Sequence, residues 1–320
     1  MTITRRALVA AGLTAPAIAP ALAQTNRFPD RPVELVVGFT PGGATDLDAR
    51  AIGPLLEKRL GGTVVVVNRP GAGGEVALAS VARARADGNT LGTTNMPGLL
   101  TIPIERRAQF KLEDFAGIAN IVTDPNAITV HEDSPYRSVE DILAAARARP
   151  DQVTFASTGV GTDDHLLLVL LQKATGTSFT HVVFQGDPGL LTAILGKQVD
   201  VLGLNLGPVS ANPDKLRTLA MAGATRSRFR PDVPTLKEIG IDVVMGSERG
   251  VVAPVGTPPA VLAKLREAMA DAVKDPEFVR ILQTRFTEPA FEDGEAWFTR
   301  LRGLQEGYRT LWSRTPWAQH

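Results

Sequence analysis

The chain has 320 residues, no cysteine, and 34 basic residues against 34 acidic ones. That balance, with no basic block or basic–aromatic interleaving, argues against a nucleic-acid partner. The missing cysteines exclude disulfides, thiolate-bound zinc and thiol catalysis, while 44% apolar residues supply the cores of one large or two medium domains.

Residues 1–23 read as a secretory leader. Arg5 and Arg6 form a basic head, Ala7–Ile18 is a small-residue apolar run, and Ala21-Leu22-Ala23 is an A-x-A cleavage pattern. The run is too short to span a bilayer. Export to the periplasm with cleavage after Ala23 is therefore expected. Thr4-Arg5-Arg6 leaves the general and twin-arginine routes both open.

Val33–Phe39 is the apolar run of a strand buried on both faces. Thr40-Pro41-Gly42-Gly43 breaks it. Thr45 and Asp48 have capping-box spacing, and Leu47, Ala51 and Leu55 recur as one helix face. Such a junction leaves backbone N–H groups beside the positive end of the helix dipole, a setting that suits a carboxylate. Thr63–Asn68 is the next strand. Arg69–Gly74 lacks the G-x-x-x-x-G-K-[ST] phosphate pattern and reads as a turn before a helix from Glu75 to about Ala86. Thr90–Thr94 is a strand with Asn95 just past its carboxyl end, where ligands gather in open α/β sheets.

Ile118–Val122 and Ala127–Val130 flank a first crossing between domains. Ser138–Arg149 is a helix with a Ser-x-x-Asp box. The grammar of the first module then repeats: strand Val153–Ser157, loop Thr158-Gly159-Val160-Gly161, helix Thr162–Ala174. Phe179–Phe184, Val199–Leu204 and Leu216–Ala222 are strands, and Gly189–Gly196 is a helix. Asp242–Gly246 begins the return crossing. Thr257 caps a helix opened by Pro258, and helices near Pro276–Arg285 and Glu295–Trp312 finish the chain. The Trp297, Leu301, Leu304 and Tyr308 stripe reads as a face docked on the first domain. Strands alternating with helices imply an α/β fold with mainly parallel sheets. The expected division is 24–123 with 247–320, and 124–246. Two crossings make a hinged clamp.

Six stretches in order carry a family resemblance: VVGFTPGGATDLDAR, VVVVNRPGAGG, ADGNTL, FASTGVGTDDHL, THVVFQGDPGLLTAILGKQVDV, and RPDVPTLKEIG followed by VVAPVGTPP. Together they span nearly the whole chain after the leader. The chain resembles the extracytoplasmic substrate-binding receptors of tripartite tricarboxylate transporters, the Bug or TctC type. The resemblance implies a two-domain Venus-flytrap fold. It also implies a monomeric receptor that hands a small carboxylated solute to a membrane permease, without cofactor, metal or catalysis. By position it assigns ligand contact to Thr40, Pro41, Gly42, Gly43, Thr45 and Asp46 of the first loop, and to Ser157, Thr158, Gly161 and Thr162 of the second. Asn205 falls where the family carries a polar residue.

The sequence departs from that pattern at Leu204, at Glu248-Arg249-Gly250 and at Asp163-Asp164. Arg249 reads equally as a hinge residue or as a bidentate carboxylate clamp. With Glu248 beside it and Asp163 or Asp164 free to face an ammonium, a zwitterion such as an amino acid is one candidate ligand. Two other classes stay open. A secreted hydrolase or isomerase would use a Ser157–Asp164–His165 relay, although the G-x-S-x-G elbow and H-E-x-x-H are absent. A sensory receptor would use the same clamp.

Overall fold

The computed structural model describes residues 28–317, so the leader expected at residues 1–23 lies outside the described residues. β1 (Val33–Val37) and α1 (Ala44–Leu60) form the first module, with Val33, Leu35, Val36 and Val37 buried to 0% exposure, as a central strand requires. β2 (Val64–Asn68) and β3 (Thr90–Met96) pair in parallel with β1. α2 (Glu75–Ala82) connects them and α3 (Gly98–Glu105) follows. The long β4 (Phe115–Pro125) leaves this sheet, and β5 (Ala127–His131) already belongs to another.

The second sheet is completed by α4 (Val139–Ala148), β6 (Thr154–Ser157), α5 (Asp163–Thr175), β7 (Thr180–Val183), α6 (Asp187–Leu195), β8 (Val201–Leu202), α7 (Leu206–Val209) and β9 (Leu216–Met221). β10 (Gly246–Pro254) returns the chain to the first sheet. α8 (Pro259–Val273), α9 (Pro276–Thr284), β11 (Glu288–Asp293) and α10 (Gly294–Arg314) finish it.

The strand orders are β11-β4-β10-β3-β1-β2 and β7-β6-β8-β5-β9. Pairing is parallel within the βα modules. β10 runs antiparallel to β3 and β4, β11 to β4, and β5 to β8 and β9, so both sheets are mixed. Each sheet is covered by helices on both faces. In the first lobe, Ile52, Leu56, Leu265 and Phe278 pack one face, and Leu78, Leu99 and Trp297 the other. In the second, Ile142, Leu143, Leu167 and Leu171 face Leu190, Ile194 and Leu206 across the sheet.

Caps decide local boundaries. The box at Ser138 and Asp141 forms both of its bonds, at 2.9 and 3.1 Å. The one at Thr45 and Asp48 does not. Gly43 is the N-cap residue without a side-chain bond, and Asp48 is drawn instead to Arg249, 201 residues on. Thr257 bonds Pro254 O rather than capping, and Pro259 opens α8. α10 also departs from expectation. Trp297 and Leu301 dock on the first lobe, and Leu304 is exposed. Tyr308, Leu311, Trp312 and Trp317 pack against the core of the second lobe. The helix is thus a third connection between the lobes.

Candidate functional site

The lobes touch on two sides of a shared cleft. On one side, the Thr40–Gly43 turn meets Gly186 and Asp187 at the start of α6. A Cβ on Gly186, whose φ is +109°, would come 2.7 Å from Thr40 Oγ1. The backbone N–H of Ala44, in the first turn of α1, donates to Asp187 Oδ2 at 2.7 Å. On the other side, the second Gly loop lies on Gly73 and α3. A Cβ on Gly159 would come 3.0 Å from Gly73 Cα, and Thr101 Oγ1 donates to Gly161 O. Between the contacts is a cavity lined by Ala44, Thr45, Asn95, Thr158, Asn205 and Arg249, together with three aspartates. Both strand–loop–helix modules therefore reach one place. The cavity holds about 10 Å³, room for about one water and too small for an organic acid.

Arg249 on β10 organises the electrostatics. It is 2% exposed, and it donates from Nε to Asp48 Oδ2 at 2.6 Å and from Nη2 to Asp124 Oδ2 at 3.2 Å. Burial works against its charge, but the two carboxylates outweigh that cost and raise its pKa. Burial pushes Asp124 up to about 7 despite the Arg249 charge. The remaining donor, Nη1, is buried and has no hydrogen-bond partner among the described residues. Arg249 lines the cavity, and a buried guanidinium with an unpartnered N–H favours an anionic acceptor.

The second loop is saturated from within. Thr158 N–H donates to Asp164 Oδ2 at 2.6 Å, Gly161 N–H to His165 Nδ1 at 3.1 Å and Gly159 N–H to Ser157 Oγ at 3.3 Å. Thr162 Oγ1 is held by Gly159 O and by Asp164. Asp163 accepts from the Nδ2 atoms of Asn126 (2.8 Å) and Asn205 (2.9 Å). Burial raises the pKa of both aspartates, and Asp163 raises Asp164 further, against the donors around each.

The sequence-selected residues therefore divide. Thr45, Asn95, Thr158, Asn205 and Arg249 line the junction cavity, and Thr40, Gly42 and Gly43 lie beside it against the second lobe. Pro41 is exposed. Asp46 is turned into its own loop, where it accepts from Gly42 N–H, Arg50 and Asn68 at 2.8–2.9 Å. Ser157, Gly161 and Thr162 are bound within the second loop or to α3. Sequence reasoning missed Asp48, Asp124 and Asp187, because their partners lie 125 to 201 residues away.

The Ser157–Asp164–His165 relay does not assemble. Ser157 Oγ lies 2.5 Å from His181 Nε2, Asp164 accepts from the His165 backbone N–H, and His165 stacks on His181 with ring centroids 4.3 Å apart. Burial lowers the two imidazoles to about 3 and about 4, so both are neutral near pH 7. Among the described residues no group of acidic or histidine side chains could hold a metal ion.

A family profile described as the tripartite tricarboxylate transporter family receptor, TctC, matches residues 49–298. The chain belongs to that family. A Cupriavidus necator relative of the receptor, the UPF0065 protein in the gbd 5′ region, is 34% identical over 294 residues, covering 91% of this chain and 90% of its own. Two Rhodopseudomonas palustris structures share the fold at TM-scores of 0.82. One, solved with adipate, is 28% identical over 90% of the receptor and 97% of its own chain. The other, MatC with bound malate, is 26% identical over 90% and 99%. The family and these neighbours are solute-binding receptors of the Venus-flytrap type.

Proposed function

We propose that this receptor captures a small carboxylate-bearing solute between its lobes in the periplasm and delivers it to the membrane subunits of a tripartite tricarboxylate transporter. The observation that carries the reading is buried Arg249, with one nitrogen unpartnered among the described residues, lining a cavity shared by both strand–loop–helix modules. The adipate and malate complexes of similar proteins support the ligand class.

The leader is removed after Ala23, and the mature chain acts as a monomer without catalysis. The lobes are 24–123 with 247–320, and 124–246, a division supported by the sheet exchange after Pro125 and at Gly246. When the lobes part, the α1 amides and Arg249 are exposed together. A carboxylate seated there replaces lost water with N–H donors, and closure excludes solvent.

The test is mass spectrometry of solutes that co-purify, followed by thermal shift with adipate and malate. A carboxylic acid that raises the unfolding midpoint and is recovered unchanged is the expected result, since a ligand that binds only the native state stabilises it by mass action. Turnover abolished by Ser157→Ala would sink the reading in favour of an enzyme.

A further inference from the structure

Asp164, the second residue of α5, is 1% exposed and lines the junction cavity with Arg249. It fastens the second loop. Oδ2 accepts from Thr158 N–H at 2.6 Å, and Oδ1 accepts from His165 N–H at 3.0 Å and from Thr158 Oγ1 at 3.2 Å. One further contact does not close with an ionised carboxylate. The Thr162 hydroxyl carries a single hydrogen but lies against two oxygens, Gly159 O at 2.5 Å and Asp164 Oδ1. A carbonyl has no hydrogen to give. Both contacts are attractive only with a second hydrogen, and the Asp164 carboxyl is the group that can carry it. It then donates to Thr162 Oγ1, which donates to Gly159 O.

The surroundings favour that proton. Asp163 precedes Asp164 and takes amide donors from Asn126 and Asn205, so of the adjacent pair it is the one fitted to stay ionised. Asp187 of α6 lines the same cavity, and Asp48 of α1 and Asp124 of β4 sit on Arg249. Five carboxylates thus gather around one guanidinium at the seam of the lobes. Behind the loop, Glu105 of α3 reaches Gly161, but its charge is paired with Arg106. His165 and His181 are neutral near pH 7 and add no positive charge. Burial, then the Asp163 charge, pushes the Asp164 carboxyl up to about 8.

We propose that Asp164 is a proton site linked to solute capture: as the lobes close on a carboxylate, Asp164 takes a hydrogen ion from solvent, and on opening it returns it. The inference rests on the carboxylate-receptor reading and adds a second, ionic ligand to it. With the lobes parted, water solvates the ionised acid. With them shut, the solute brings negative charge to a dry site already rich in it, and a proton on Asp164 removes part of that repulsion. The sign follows from linkage. A proton held more tightly in the bound form strengthens binding at low pH, and that contribution is lost as pH rises through the bound-state value.

The test is calorimetric titration of the ligand-free receptor with malate in buffers of different ionisation enthalpy, at about pH 7 and about pH 9, where malate is fully ionised. Uptake of about half to one proton per malate at the lower pH is expected, with affinity about tenfold weaker at the higher one, and Asp164→Asn should abolish both effects. Absence of uptake, or uptake unchanged in Asp164→Asn, overturns the proposal and leaves the receptor reading standing. Carbon NMR of the aspartate carboxyls gives a second readout. The Asp164 signal should titrate at higher pH with malate than without it, and equal midpoints overturn the linkage. Thr162→Val keeps the carboxyl and removes the oxygen its proton bonds, which guards against misfolding of the asparagine variant. Its malate-bound midpoint should fall, whereas a rise would place the hydrogen on Thr162 and overturn the proton site. If neither malate nor adipate binds, the carboxylate reading itself fails and the linkage falls with it.

Discussion

The two glycine loops share one grammar and reach the same cleft, yet their chemistry differs. The first keeps its helix amide for the other lobe: Ala44 N–H is met by Asp187 across the cleft. The second spends its amides at home, on Asp164, His165 and Ser157. A Gly-rich strand-to-helix turn thus supplies potential donors, and the residues that follow decide whether they stay available. In the second loop two acids and a histidine open the helix, Asp163-Asp164-His165, and the loop folds back on them. In the first, Asp46 also folds back on its loop, accepting from Gly42 N–H as well as from Arg50 and Asn68, but Asp48 is drawn away to Arg249 and the Ala44 amide is left to Asp187. On the proposed reading, an anion is therefore met by α1 and Arg249 more than by the second loop, which packs against Gly73 and Thr101.

The sharpest way to break that comparison is at Arg249. Arg249→Met leaves Asp48 and Asp124 buried without their cation, and loss of one partner from a buried ion pair costs about 3–5 kcal/mol. Urea unfolding should show that loss, and a drop under about 1 kcal/mol would mean the carboxylates are relieved by water or protons instead. Next in size is closure. Gly159→Ala places a methyl against Gly73 Cα, and overpacking of this kind costs about 1–3 kcal/mol. Strain of alanine at φ +156° is shared by both forms, but the contact with Gly73 exists only in the closed one, so solute affinity should drop by up to about 150-fold and small-angle scattering should show a more open molecule. An unchanged radius of gyration would place the burden of closure on the first loop.

Asp187→Asn probes the opposite loop. It exchanges a charge-assisted bond to Ala44 for a neutral one, a difference of about 1 kcal/mol, and removes a negative charge from the anion's seat. Affinity for a dicarboxylate should rise about fivefold in titration calorimetry, whereas a fall would make Asp187 a ligand contact rather than a competitor. The smallest effect is in the pH profile. Asp124 has a folded pKa raised to about 7, so the folded state holds its proton more tightly than the unfolded chain. Its contribution is present below about pH 4 and is lost as pH rises through about 7. The lowered histidines act in the other sense, their share being present above pH 6.5 and lost as pH falls towards 3. Melting midpoints should peak between these limits, and Asp124→Asn should flatten the alkaline side by a few degrees.

What was legible in the sequence was local. Val33–Val37 read as a buried strand because four of its five residues are apolar, and Ser138-x-x-Asp141 read as a cap because both partners lie within one turn. Thr45-x-x-Asp48 has the same spacing and fails because a cation 201 residues away competes for the aspartate more strongly than a backbone N–H does. β11 escaped notice since Glu288–Asp293, an edge strand with no fully buried position, has neither alternation nor an apolar run. Arg249 could be singled out by type, but its choice between hinge and clamp depended on Asp48 and Asp124 converging from two distant elements.

α10 has a mechanical consequence. Its beginning is rooted under one sheet by Trp297 and the tail just past its end is anchored in the other by Trp317, while Gly303 and Gly307 have open space where a side chain would be. Any swing that separates the halves must flex the rod at that slender waist or pull an indole from its socket. This segment therefore adds its own resistance to opening, alongside the two strand crossings and the loop contacts.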